Sequence, residues 1–112
     1  MFSQWRAHGL MPSAMAEFRL SLRASRTLIE IYAFTDDRFG RYQADAYHAG
    51  FEKTFGLLAE FPRIGRTADE LVAGVRRFRF QSHHIFYLVE DDHVLILDIF
   101  HVSQDVPPEL FD

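Results

Sequence analysis

Apolar residues in this chain first alternate, then recur at helical spacing, then alternate again. In "EFRLSLR" Phe18, Leu20 and Leu22 point one way while Arg19, Ser21 and Arg23 point the other, which predicts a half-buried strand. "ASRTLIEIYAFTDDRFG" follows with Leu28, Ile31, Tyr32 and Thr35 on one helical stripe, widened by Ile29. Ser25 is the expected N-cap of this helix, and Gly40 its stop, because glycine takes the left-handed conformation that ends many helices at no steric cost. "RYQADAYHAGFEKTFGLLAEF" predicts a second helix through Tyr47, Phe51, Phe55, Leu58 and Phe61, ended by Pro62. Two amphipathic helices on so short a link form an antiparallel helical hairpin.

"PRIGRTADELVAG" reads as a loop with room for one helical turn at Ala68–Leu71. "VRRFRF" alternates again, setting Arg76, Phe78 and Phe80 against Val75, Arg77 and Arg79. "HIFYLV" is apolar on both faces apart from Tyr87, as a central strand covered on each side should be. "EDDH" supplies a turn, "VLILDIFHV" the last strand, and "PPELF" a tail that leaves the sheet. The expected fold is therefore α+β, in the order β-α-α-β-β-β. It has an N-terminal strand, a helical hairpin, and a three-stranded antiparallel sheet carrying the hairpin on one face.

Residues 1–16 have no strong period and read as a loosely ordered tail ahead of a domain spanning 17–112. The opening lacks both a signal-peptide apolar core and a clean cleavage site, so a secretory signal is not expected. Met15 is an equally good start, since patterned sequence begins at Glu17, and Trp5 is free to dock on the body.

Composition narrows the function classes. With 112 residues and 48% hydrophobic content, one modest core is expected, and twelve phenylalanines make it ring-rich. The absence of cysteine excludes disulfides and thiolate metal sites and fits a reducing cytoplasm. No apolar run, Val94 to Leu97 included, approaches the ~20 residues needed to cross a bilayer. Net charge is −4, so the whole molecule has no pull toward nucleic acid. Residues 1–79 nevertheless carry twelve bases against nine acids, while residues 80–112 carry seven acids and no base. A basic front and an acidic tail suit protein partners that read each face separately.

Candidate chemistry is sparse. His83 and His84 point to opposite faces of a strand and cannot chelate one ion together, His93 lies in a turn, and no metal site or cofactor is expected. His101, sharing a face with Leu95, Leu97 and Ile99, reads as a hydrogen-bonded histidine at the core edge. Tyr87 could stack on a base, but on a central strand it reads better as core with its hydroxyl at the rim. The only lysine, Lys53, lies midway along the second helix, and no Gly-rich phosphate loop or nucleophile elbow is present. Arg77 and Arg79 form a cationic pair on one strand face. They either meet a partner's carboxylates as bidentate forks or are solvated strand charges paired with Asp98 and Glu90.

The strand and helical hairpin closing on "LAEFPRIGR", then "GVRRFRF", "HHIFYLVEDD" and "ILDIFHVSQD", resemble the RelE/ParE toxin superfamily from about Phe18 to Pro108, and most closely its ParE-like, plasmid-stabilisation branch. The resemblance implies a toxin of a type II toxin–antitoxin system that inhibits DNA gyrase by binding. A cognate ribbon-helix-helix, ParD-like antitoxin would neutralise it in a cytoplasmic hetero-oligomer, with no catalysis, membrane or direct nucleic-acid binding. The alternatives are a ribosome-dependent messenger-RNA endonuclease of RelE type, relying on Arg77, Arg79, His83 and His101, and a degenerate, non-toxic member that only binds antitoxin. Many relatives have arginine where this chain has Asp98, which would repel RNA and also departs from the common ParE pattern. Partner contacts are expected at Arg23, Arg26, Arg77, Arg79, His101 and Asp105.

Overall fold

The computed structural model describes residues 17–106. The expected loose tail 1–16, with Trp5 and Met15, and the "PPELF" segment lie outside them. Seven elements follow in order: β1 (Phe18–Leu20), α1 (Leu22–Phe39), α2 (Arg41–Glu60), β2 (Arg66–Thr67), β3 (Arg76–Phe80), β4 (His83–Val89) and β5 (Val94–His101). The α+β order stands, with five strands in place of the expected four. The sheet runs β1-β5-β4-β3-β2, antiparallel throughout except that β1 joins β5 in parallel.

The first strand is shorter than its alternation suggested, because Ser21 is a better helix start than Ser25. Its Oγ accepts the Ala24 N–H at 2.9 Å and donates to the Leu97 carbonyl at 2.7 Å, while its own N–H donates to Ile96 O. One residue therefore ends β1, caps α1 and fastens both to β5. Arg23 consequently sits on α1 and not on a strand. Gly40 alone links the helices: at φ +93° its N–H donates to Asp36 O, closing α1, and its carbonyl accepts from Ala44, opening α2.

The hairpin packs on one face of the sheet. Ala24, Leu28, Phe51, Phe55, Leu58 and Ala59 interleave with Phe18, Ile85, Tyr87, Val94, Ile96 and Ile99. Phe51, Phe55 and Leu58 are completely buried, each contributing roughly 1.5–3 kcal/mol. Two stripe members fall outside this core: Ile29 is 69% exposed, and Phe61, just past the helix end, is exposed as well. The opposite face carries a smaller cluster of Ala68, Val75, Phe86 and Phe100 with Leu71, Val72, Leu88, Leu97 and Val106 around it. The turn expected at Ala68–Leu71 is present, with the Leu71 and Val72 N–H groups both donating to Ala68 O.

A bulge breaks the alternation of β5. Phe86 pairs with Asp98 but Tyr87 pairs with Ile96, leaving Leu97 as the extra residue. Leu97 joins the far cluster, whereas Ile99 belongs to the core under the helices and His101 lies beside His83. The expectation that His101 shares a face with Leu95 and Leu97 is thus corrected; the insertion shifts the face by one residue.

Candidate functional site

An open cleft of about 1440 Å³ lies between the helical hairpin and the end of the sheet. Its helical wall is Thr27, Glu30, Ile31 and Phe34 from α1, with Tyr47 and Gly50 from α2. Arg79 to His83, the β3–β4 turn, close one end, and Asp98 to His101 with Gln104 form the floor. Phe34 and Phe39 border this space at 58% and 67% exposure, large rings that an isolated helix face has no folding reason to expose. Sequence periodicity missed both because they lie off the buried stripe; that displacement was the available signal.

The rings at the closed end are ordered by contact. Tyr47 OH lies 2.7 Å from His83 Nδ1, and the His83 and His101 rings stand edge to face at 5.4 Å. Burial, then the neighbouring His101, pushes the His83 pKa down to about 4, so its imidazole is neutral near pH 7. His101 is exposed; its Nδ1 meets Ser103 Oγ at 2.8 Å, and its backbone N–H donates to Gln104 Oε1. Gly50 permits the close helix–sheet approach here, since a Cβ would lie 2.5 Å from Phe80 Cζ.

Asp98 sits in the floor, 4% exposed, with Oδ1 accepting from Thr27 Oγ1 at 2.7 Å and from the Ile99 N–H at 2.8 Å. It does not pair with Arg77 or Arg79, as the solvated-charge reading had allowed. Neither arginine forms an ion pair among the described residues, and Arg79 Nε instead donates to Gln81 O at 2.7 Å. Phe78 and Phe80 point to the helices and Val75 points away, so Arg77 and Arg79 emerge from the far face, though Arg79, at the end of the strand, also lines the cleft. His84 shares that far face, pairing with Arg79 across the strands. Its Nδ1 is buried without a partner, and burial, then Arg77 and Arg79, lower its pKa.

The sequence-predicted contact residues are therefore dispersed. Arg23 and Arg26 are exposed on the first turns of α1, Arg77 and Arg79 lie on β3, and His101 and exposed Asp105 lie at and beyond the end of β5. Only Arg79 and His101 line the cleft. Arg76, by contrast, is structural: Nη1 donates to Gly65 O at 2.7 Å. Tyr87 is fully buried core, with its hydroxyl bonded to the loop after α2. Among the described residues no three ligating side chains converge on a metal position, and no helix is long and apolar enough to cross a membrane.

Residues 18–106 match the family described as the ParE toxin of type II toxin–antitoxin system, parDE. Toxin ParE1 of Caulobacter vibrioides is 34% identical over 96 residues, covering 86% of this chain and 99% of that protein. Toxin ParE1 of Mycobacterium tuberculosis is 33% identical over 96 residues, covering 85% and 98%. Among solved structures, the chromosomal ParDE TA system from P. aeruginosa superposes with a TM-score of 0.67 at 20% identity, covering 80% of this chain and 98% of that one. The toxin–antitoxin complex RelBE2 from Mycobacterium tuberculosis gives 0.55 at 25% identity, covering 77% and 96%. Relatives matched over nearly their whole length carry the order of strand, helical hairpin and sheet to one conclusion: this chain belongs to the ParE toxin family of type II toxin–antitoxin systems.

Proposed function

We propose that this toxin acts by stoichiometric docking onto DNA gyrase in the cytoplasm, without catalysis of its own. A cognate ribbon-helix-helix, ParD-like antitoxin neutralises it. That partner lays an amphipathic helix into the cleft beside Phe34 and Phe39 and adds a segment along the sheet. Arg23, Arg26, Arg77 and Arg79 offer their guanidinium groups to partner carboxylates, with His101 and Asp105 at the margin. The observation that carries the reading is the character of the cleft: exposed rings, one arginine, and a histidine that burial keeps neutral. Phosphoryl chemistry on RNA requires positive charge around the scissile phosphate, and Arg79 is the single Lys or Arg among the residues lining this space.

One observation favours an endonuclease of RelE type instead: Arg79, His83 and His101 gather at the same end of the cleft. Against it stand the neutral His83 engaged by Tyr47 and the placement of Arg77 outside the cleft.

Expression of the full chain without antitoxin distinguishes the readings. Docking on gyrase predicts filamentation with DNA-damage induction, and inhibition of supercoiling by purified gyrase. Toxin-dependent cuts in translated messages, abolished by His101→Ala, would replace this reading with the nuclease. A harmless chain that still binds antitoxin would mark a degenerate member.

A further inference from the structure

The cleft has an acidic wall that is only half engaged. Both donors to Asp98, the Thr27 hydroxyl and the Ile99 N–H, use Oδ1, and Oδ2 has no donor among the described residues. The side chain is more than nine-tenths buried yet borders the open cleft. Glu30 is exposed and lines the same space; it lies three residues beyond Thr27 on α1, and residues so spaced are neighbours on a helix surface. Neither acid forms an ion pair with a lysine or arginine among the described residues. Ile31, Phe34 and Phe80 line the same cleft with apolar surface. An occupant matching only that surface would strand the exposed Glu30 carboxylate without a counter-ion and seal the nearly buried Asp98 from the water that still reaches it through the cleft, a costly arrangement.

We infer that the segment filling this cleft carries a lysine or arginine that meets Glu30 and Asp98, and that this charge match selects the cognate antitoxin from others of the same shape. The inference rests on the antitoxin docking proposed above and adds its chemistry: an amphipathic helix with apolar residues for Phe34 and Phe80 and a cation between them. An antitoxin bearing an acidic or apolar residue there is rejected by repulsion or by stranded charge. Arg79 at the other end of the cleft takes an acidic residue, so the two signs also fix the direction in which the helix lies.

The probe is the cognate ParD-like antitoxin proposed above, titrated calorimetrically into the full-length toxin, with each of its helical lysines and arginines changed to glutamate in turn. One such reversal should weaken binding by about tenfold or more, as expected for a desolvated charge pair. Glu30→Lys should weaken binding of the unaltered antitoxin and restore binding of that single reversal. Asp98→Asn should act in the same direction. Because Asp98 also holds Thr27, melting curves accompany it, and Glu30→Lys at its exposed position decides the matter if Asp98→Asn unfolds. Tight binding that is insensitive to Glu30→Lys and to every antitoxin reversal overturns the inference while leaving antitoxin docking intact. Failure of the antitoxin to bind at all overturns both.

Discussion

The Tyr87 hydroxyl donates to the Pro62 carbonyl at 2.7 Å, pinning the middle of the sheet to the loop that ends the second helix. The same oxygen accepts the Gly65 N–H at 2.9 Å, so both ends of "PRIG" hang on one side chain. Burial raises the Tyr87 pKa, and the hydroxyl stays protonated as this geometry requires. Tyr87→Phe leaves the buried Gly65 N–H and the half-buried Pro62 carbonyl without this partner and should cost about 2–3 kcal/mol in urea unfolding, with the denaturant slope unchanged. Gly65→Ala should cost at least as much, since a Cβ there meets the Tyr87 hydroxyl and lies 2.8 Å from the Arg77 carbonyl.

Ser21→Ala tests the junction of β1, α1 and β5. Loss of the cap alone should destabilise by about 1 kcal/mol, and loss of the bond to Leu97 O adds about another 1 kcal/mol. Ser25→Ala, at the residue periodicity favoured as the cap, should cost less than half as much in the same melts.

His83 predicts a pH dependence with a definite sign. Its pKa falls from 6.5 when unfolded to about 4 when folded, so between these values the unfolded chain binds the additional proton. Stability contributed by this group is complete above pH 6.5 and declines as the pH falls toward 4. Denaturation midpoints at pH 7 and pH 5 should therefore differ more for the native chain than for His83→Phe, which retains the packing on Tyr47 and Phe51. Equal differences would show that His83 titrates normally.

Arg77 and Arg79 carry no ion pair among the described residues, so reversing both to glutamate should leave the melting temperature within a few degrees of native. Antitoxin affinity or toxicity should fall by about tenfold or more. If neither changes, the far face of β3 is not a contact surface.

The elements were legible because their apolar residues repeat cleanly: Phe51, Phe55 and Leu58 announce α2, and "HIFYLV" announces a strand covered on both sides. The β1–α1 boundary was not, because Ser21 fits an alternating strand as well as it fits a cap, and only its bonds to Ile96 and Leu97 decide. Nor was the face of His101, since a bulge at Leu97 is a property of pairing with β4 and not of β5 alone. The two-residue β2 is too short to have a period. Of the site, Arg79, His83, Asp98 and His101 stand out in the sequence by residue type and strand position. The contribution of Phe34, Phe39 and Glu30 depends on how two helices and a sheet end enclose space, which no single-element pattern encodes.

The parallel pairing of Phe18–Leu20 with Val94–Ile96 has a consequence for biosynthesis. Among the described residues β1 has β5 as its one sheet neighbour, and that neighbour lies far later in the chain, so the pairing that fastens the start of α1 waits until both segments have been made. A translation product that stops before residue 94 lacks the β5 half of the surface under the hairpin and the residues from Asp98 to His101 that floor the cleft.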